Sequence, residues 1–359
     1  VTQSRRSFLG EVSLASAAAA FAPSLNAAAP PAPAAPGEPV RPMALKAGSR
    51  IALVAPASPS SDPDANVIAQ EIVRSFGFTA TMMPNASRAT FYLAGTDQER
   101  AADLMAAFAH PNVDAIWCLR GGYGSPRILP YLDYELIKKH PKALIGYSDI
   151  TALIVAIHKM TGLVTFHGPL AGEPQTDYTL LHFKRVLYEP SPAGSIAAPP
   201  SFPAREGQVE RVNRMKTITR GKARGPLVGG NLSVLTALVG TPYEPDLKGR
   251  ILFLEEVGEE PYKIDRFLTQ LVLTGKLSSC AGIVLGKFTD CGPKEFRPTF
   301  NGTFTWQEVV ADRLGGLGIP VLSGLMFGHF NDKATLPIGV LAELDADGGT
   351  LTLLQPAVR

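Results

Sequence analysis

In the first half of the folded chain, short apolar runs alternate with helical stretches, and this limits the fold more than any other feature. "RIALVAPAS" opens a first strand over 50–57, and "ANVIAQEIVRSFGF" follows as a helix with Gly77 near its end. "TATMMP" is a second strand. Thr96 then caps an amphipathic helix in "GTDQERAADLMAAFAHPNV". "DAIWCL" runs into the glycines of "RGGYGS", "RILPYLDYELIKKHP" is mostly helical, and "KALIGYSD" gives way to the apolar helix "ITALIVAIHKMTG". Strands and helices in alternation predict a parallel sheet with both faces covered. In such sheets ligands bind outside the carboxyl ends of the strands.

After residue 177 the pattern changes. "YEPSPAGSIAAPPSFPAREG" is rich in proline and small residues, so 178–208 reads as an interdomain connection. Beyond it, "RILFLEEV", "AGIVLGKF", "LAELDA" and "LTLLQ" read as strands among a few helices, a smaller α/β or β-rich domain over 209–359. A length of 359 residues already favours two domains over one.

The first forty residues do not read as fold. Arg5 and Arg6 precede Phe8 and Leu9, an Ala/Ser run follows, and Ala27–Ala28–Ala29 offer a cleavage site. This order predicts a twin-arginine-type export signal over 1–29 and a periplasmic destination. The apolar run is too short and alanine-rich for a stable membrane anchor, which needs about 20 apolar residues. "PPAPAAPGEPVRP" (30–42) is an extended spacer, so the first domain is expected over 43–177.

A net charge of +2 with scattered basic residues gives no nucleic-acid footprint. The three cysteines, Cys118, Cys280 and Cys291, have neither framework nor CxxC spacing; pairing of Cys280 with Cys291 stays open beside three buried thiols. Neither a CxxC pair nor an HExxH motif calls for zinc, and no cofactor is expected.

Two stretches carry candidate chemistry. In "GYSD", Ser148 and Asp149 sit where a strand turns into a helix. A serine there is lifted above the sheet and faces the helix's free N–H groups. The pattern G-x-S-x-G is half present, with Gly146 in place and Ile150 where the second glycine belongs; a helix cap accounts for the same residues. In "LRGGYGSPR", Gly121, Gly122 and Gly124 let backbone amides approach a ligand. Arg127 replaces the third glycine of a dinucleotide loop, and a tight turn is the simpler reading.

A nucleophilic serine needs a base and an orienting acid. His110 and His140 lie in turns before proline, and His158 and His182 lie within helices. His167 ends a strand. His329, in "GHFNDKATLPIG", occupies a loop, where catalytic groups are often carried. In "RILFLEEVGEEPYKIDR", Glu255 and Glu256 fall on opposite faces of one strand, so only one of them can face a given histidine.

Taken in order, "RGGYGSPRILPYLDYELIKKHPKALIGYSDITAL", "FHGP", "GGNLS", "ILFLEEVGEEPYKIDRFLTQL", "GIVLGKF" and "GHFNDKATLPIG" resemble the LD-carboxypeptidases of the S66 serine peptidase family (muramoyltetrapeptide carboxypeptidases) and the related microcin C immunity peptidases. The resemblance implies a flavodoxin-like N-terminal parallel-sheet domain, a smaller C-terminal domain and an active site between them. It puts the nucleophile on Ser148, the acid on Glu255, the base on His329, and the oxyanion donors on the N–H groups of Gly122 and Asp149. Glu256 stands where the family commonly has Asp. The implied substrate is a peptidoglycan tetrapeptide cut before its terminal D-alanine, and a homodimer is the usual assembly. Two other functions remain at this point: an immunity-type peptidase acting on an aminoacyl nucleotide, and a non-catalytic muropeptide binder. Arg120, Arg127 and Arg266 are equal candidates for reading the substrate carboxylate.

Overall fold

The computed structural model describes residues 37–60, 62, 64–203 and 205–359. The expected export signal therefore lies outside the described residues. In chain order the first half contains β1 (Arg50–Val54), α1 (Ala65–Ser75), β2 (Thr79–Met82), α2 (Asp97–Ala109), β3 (Ala115–Cys118), α3 (Ser125–Ile128), α4 (Tyr134–Lys139), β4 (Ala143–Gly146), α5 (Thr151–Thr161), β5 (Thr165–His167) and α6 (Asp177–Leu187). The second half contains β6 (Gly194–Ile196), β7 (Lys216–Thr219), β8 (Lys222–Asn231), α7 (Leu232–Ala237), β9 (Ile251–Val257), α8 (Pro261–Leu273), β10 (Gly282–Thr289), α9 (Trp306–Leu314), β11 (Val321–Ser323), β12 (Leu336–Ile338), β13 (Leu341–Asp345) and β14 (Thr350–Leu353).

Strands β2-β1-β3-β4-β5 lie side by side and all parallel, the flavodoxin-like order. The central strands are apolar on both faces because helices cover both, and β3 and β4 are buried along their whole length, while the edge strand β2 keeps Thr79 and Thr81 exposed. Thr96 caps α2 in a reciprocal box: its hydroxyl accepts from the Glu99 N–H, and Glu99 accepts from the Thr96 N–H at 2.9 Å. A cap of this kind is worth about 1 kcal/mol.

The second sheet has the order β6-β14-β13-β8-β9-β10-β11-β7, with β8 to β11 parallel and the flanking strands antiparallel. Helix α5 sits between the two sheets. Leu153, Ile154, Val155, Ala156 and Ile157 are all buried, as expected of a helix with partners on more than one side. The Asn231 N–H at the end of β8 donates to Thr151 Oγ1 at 3.0 Å, joining the second sheet to the first turn of α5. Each large aliphatic side chain buried here contributes about 1.5–3 kcal/mol, which fixes the helix that carries the GYSD turn.

Three segments depart from the sequence reading. The spacer does not run to residue 42: Val40 bonds to Gly162 and Val164 through its backbone, and Arg41 Nε donates to Pro356 O at 2.8 Å. The expected connection 178–208 begins as helix α6, which Phe183 seals by stacking on Trp117 with ring centres 4.9 Å apart, and it includes β6 on the edge of the second sheet. The sequence places a helical run around His182 but leaves it inside the connection, and the proline-rich text after it hides β6. Finally, β12 from the second half pairs antiparallel with β5, so the first sheet is completed by residues far along the chain.

Candidate active site

Strand β4 ends at Gly146, α5 begins at Thr151, and a 3-10 turn over Ser148–Ile150 joins them. Ser148 has φ +65°, a left-handed conformation that costs a non-glycine residue about 1–3 kcal/mol. This is the strained strand-to-helix turn that exposes a nucleophilic hydroxyl. Ile150, at the second glycine position, is fully buried. A side chain on Gly146 would come within 2.9 Å of it, so the turn is tightened by an isoleucine packing over the first glycine.

Asp149 does not aim its carboxylate at the chemistry. Its Oδ2 accepts the Ser125 N–H at 2.7 Å, and its carbonyl accepts the Ser125 hydroxyl. Burial holds its pKa above the ordinary carboxylate range, although the Ser125 hydrogen bonds and the Arg100 charge oppose this. The side chain thus braces the start of α3 against the turn and leaves the Asp149 N–H at the head of the 3-10 turn.

The loop between β11 and β12 brings His329 to the hydroxyl. Ser148 Oγ lies 2.9 Å from His329 Nε2, and His329 Nδ1 lies 2.6 Å from Glu255 Oε2. With the neutral ring protonated on Nδ1, the hydroxyl donates to Nε2 and the ring donates to the carboxylate. Glu255 is completely buried at the end of β9, and its Oε1 has no partner among the described residues. Glu256 points the other way, accepting from Asn231 Nδ2 at 2.8 Å and from the Ser233 N–H at 2.8 Å. The strand's alternation thus separates the acids. Gly328 makes the approach possible: with φ +115°, a Cβ there would stand 2.9 Å from Glu255 Cβ.

Burial pulls the His329 pKa down, but the hydrogen bond and charge of Glu255, with Glu256 and Glu173 behind it, outweigh that pull and hold it above the ordinary histidine value. His167 behaves oppositely. It is boxed in by Tyr147, Phe253 and Phe327, neither ring nitrogen has a partner among the described residues, and burial pushes it down to about 4. It is a neutral packing residue, which separates it from His329 as a base.

The cleft above Ser148 has a volume of about 530 Å³ and is walled by the loops after β1, β3, β4 and β5, at the carboxyl edge of the first sheet. Ser58 braces the glycine loop by accepting the Tyr123 N–H at 3.0 Å. Gly121 must lack a side chain, because a Cβ there would lie 2.8 Å from Ser148 Cβ and 3.3 Å from the Asp149 nitrogen. The glycine loop therefore faces Ser148, and Gly122 lines the same cleft. Of the three candidate arginines only Arg120 lines it. Arg127 is paired with Asp97 at 2.9 Å, and Arg266 lies over the Tyr262 ring on α8. A larger cavity of about 980 Å³ opens at the far end of α5, beside His158 and Arg250, and is lined by none of Ser148, Glu255, His329 and the glycine loop.

Sequence reasoning missed Ser58, Tyr147 and Glu173, which line the cleft, and Lys333, which pairs with Glu173 at 3.0 Å. Tyr147 and Lys333 stood inside the quoted motifs; Glu173, in the loop after β5, carried no pattern.

A hydroxyl, an imidazole and a buried carboxylate in hydrogen-bond series, at the mouth of a parallel sheet, define the class: a serine-type hydrolase built on two α/β layers. Within that class the chain belongs to the LD-carboxypeptidase family. Residues 51–168 match the LD-carboxypeptidase N-terminal domain and residues 224–344 the LD-carboxypeptidase C-terminal domain. It is 41% identical over 324 residues to a putative carboxypeptidase of Streptomyces coelicolor, covering 88% of this chain and 96% of the relative. It is 39% identical over 307 residues to a probable murein peptide carboxypeptidase of Bacillus subtilis, covering 84% and 90%. Among solved structures, the muramoyltetrapeptide carboxypeptidase from Oxalobacter formigenes superposes with a TM-score of 0.71 at 30% identity, covering 86% of this chain and 100% of the other. MccF in complex with glutamyl sulfamoyl guanosine superposes with a TM-score of 0.77 at 28% identity, covering 89% and 100%.

Proposed function

We propose that this carboxypeptidase releases terminal D-alanine from peptidoglycan tetrapeptides by hydrolysing the amide that joins it to the L-centre of diaminopimelate or lysine. The observation that supports this reading is the hydrogen-bond series Ser148–His329–Glu255, with spacings of 2.9 and 2.6 Å, at the wall of the cleft. His329 takes the Ser148 proton as Oγ attacks the carbonyl, and Glu255 stabilises the imidazolium. The N–H groups of Gly122 and Asp149 receive the oxyanion. His329 then gives the proton to the departing D-alanine amine, and a water activated by the same imidazole releases the acyl group from Ser148. Arg120, on the cleft wall, is the cation we assign to the D-alanine carboxylate.

The test is release of D-alanine from a purified tetrapeptide, followed by chromatography. Wild type releases it, leaves the D-Ala–D-Ala bond of a pentapeptide intact, and loses about 10⁴-fold or more in rate as Ser148→Ala. Release that survives that change would remove Ser148 from the mechanism. Intact binding without turnover in wild type would make the chain a muropeptide binder.

A second reading rests on the likeness to MccF: a peptidase that cuts an acidic aminoacyl–nucleotide amide. Kinetics on a glutamyl sulfamoyl nucleoside and on the tetrapeptide, compared side by side, separate the two by kcat/KM. We further propose export to the periplasm on the strength of Arg5–Arg6 and the Ala/Ser run, and a homodimer. A native N-terminus that retains residues 1–25 in the cytosol would refute the first, and a monomeric mass in light scattering the second.

A further inference from the structure

A polar network outside the hydrogen-bonded trio, buried at Tyr147 and Lys333 and open to the cleft at Glu173, touches the same imidazole. Tyr147 Oη donates to Glu173 Oε1 at 2.6 Å, and Lys333 Nζ donates to Glu173 Oε2 at 3.0 Å. Lys333 Nζ also lies 5.2 Å from the centre of the Tyr147 ring, a cation–π distance. The Tyr147 ring in turn packs against His329, with ring centres 4.7 Å apart. The participants come from three segments. Tyr147 immediately precedes the nucleophile, Lys333 follows His329 by four residues, and Glu173 belongs to the loop between β5 and α6, where it lines the cleft.

The backbone ties the same pieces together. Thr179, in the first turn of α6, accepts the Lys333 N–H at 3.1 Å and donates to the Asn331 carbonyl at 3.1 Å. The Lys333 side chain is only 9% exposed, so its ammonium depends on Glu173 for a partner. The Tyr147 phenol stays protonated, driven up by burial and then by the Glu173 charge, and is therefore a hydrogen-bond donor at every working pH.

We propose that Glu173 is a positioning residue: by joining Tyr147 to Lys333 it locks the His329 loop against the nucleophile turn, and it adds a further negative charge, from the cleft side, to those of β9 around the imidazolium formed during acyl transfer. This deepens the serine-hydrolase reading and rests on it. Charged and titratable groups surround His329 from several elements: Glu255 and Glu256 from β9, Glu173 from the loop after β5, Tyr147 from the end of β4, His167 from β5, Arg120 from the loop after β3, and Lys333 on its own loop, stacked on the far side of the contact through the Tyr147 ring. His167 and Tyr147 are neutral at working pH, so the acids stand against two cations, Lys333 and the cleft-lining Arg120.

That opposition supplies the test. Selectively labelled imidazole carbons in the full chain report the titration of His329 by NMR without any substrate. Glu173→Gln keeps the shape and removes the negative charge, so the His329 midpoint moves to lower pH. Lys333→Met removes the positive charge, so it moves to higher pH. Tyr147→Phe keeps both charges and loosens the lock: kcat falls about tenfold, KM stays within about twofold, and the midpoint barely moves. If Lys333→Met does not fold, Lys333→Gln takes its place. Midpoints that stay fixed, or that move in the same direction in the two charge variants, overturn the proposal. Undiminished turnover in Ser148→Ala would instead overturn the underlying assignment, so the two failures are distinct.

Discussion

The most informative perturbation is Glu255→Gln. The carboxylate is completely buried, its Oε2 is 2.6 Å from His329 Nδ1, and the substitution changes charge with almost no change in volume. Removing one member of a buried charged pair costs about 3–5 kcal/mol. Spent in the transition state, where the imidazolium exists, and at about 1.4 kcal/mol per tenfold, this is a fall in kcat of about 10²–10⁴. The pH profile carries a second signature. His329 must be neutral to accept a proton, so the rate rises with pH through its pKa, which Glu255 holds above the ordinary value against the pull of burial. Without Glu255, burial has less to oppose it, and the acidic limb of kcat/KM moves to lower pH as the plateau falls. The assay is D-alanine release from a tetrapeptide across pH, with a melting curve alongside. The fold should survive, because a neutral amide is easier to bury than an anion. A plateau reduced less than about tenfold, or an acidic limb that stays in place, refutes the orienting and charge-stabilising role.

Gly121→Ala pushes a methyl group to 2.8 Å from Ser148 Cβ, so kcat should fall by about 10² or more with little change in far-UV circular dichroism. Ser148→Gly should melt higher than Ser148→Ala, by about 1 kcal/mol, because it releases the left-handed strain at φ +65°; equal melting would show that the turn is relaxed. His329 gains a partner on folding, and its raised pKa makes the pair's contribution to stability full below the unfolded value and lost as pH climbs through the folded one. Glu255→Gln should flatten that dependence in melting curves taken across the neutral range. Cys280 and Cys291 are free and buried, their thiols pushed up to about 12, and Cys118 is buried and pushed higher still. The native protein should therefore ignore a thiol reagent at neutral pH, and all three thiols should react on unfolding.

The parallel sheet was legible because its central strands β1, β3 and β4 are almost wholly buried and continuous in hydrophobicity, and because caps such as Thr96 punctuate the helices between them. Ser148 was legible as a position, a small polar residue at a strand-to-helix joint, but its strained φ is a property of the folded turn. Choosing Glu255 over Glu256 needed the family resemblance, since alternation alone says that the acids diverge and not which face meets the histidine. Strand β8 was missed: "KARGPLVGGN" carries Gly and Pro that argue against a strand, and its pairing with β9 overrides that local preference. Helix α6 was legible as a run around His182, but the proline-rich text after it drew it into the connection. Glu173 and Lys333 were invisible because their relation is set by a crossing of the chain and follows no period.

The short strand β12 decides how this molecule can be divided. Its antiparallel pairing with β5 sets residues 336–338 into the first layer, while β11, just before the His329 loop, belongs to the second. The imidazole is therefore slung like a bridge deck between two piers. Severing the polypeptide between its halves should strand an unpaired β5 edge on one fragment and leave the base without its far abutment on the other. Neither product should work alone, and any rocking of one layer against the other would be felt first at the proton-transfer distance.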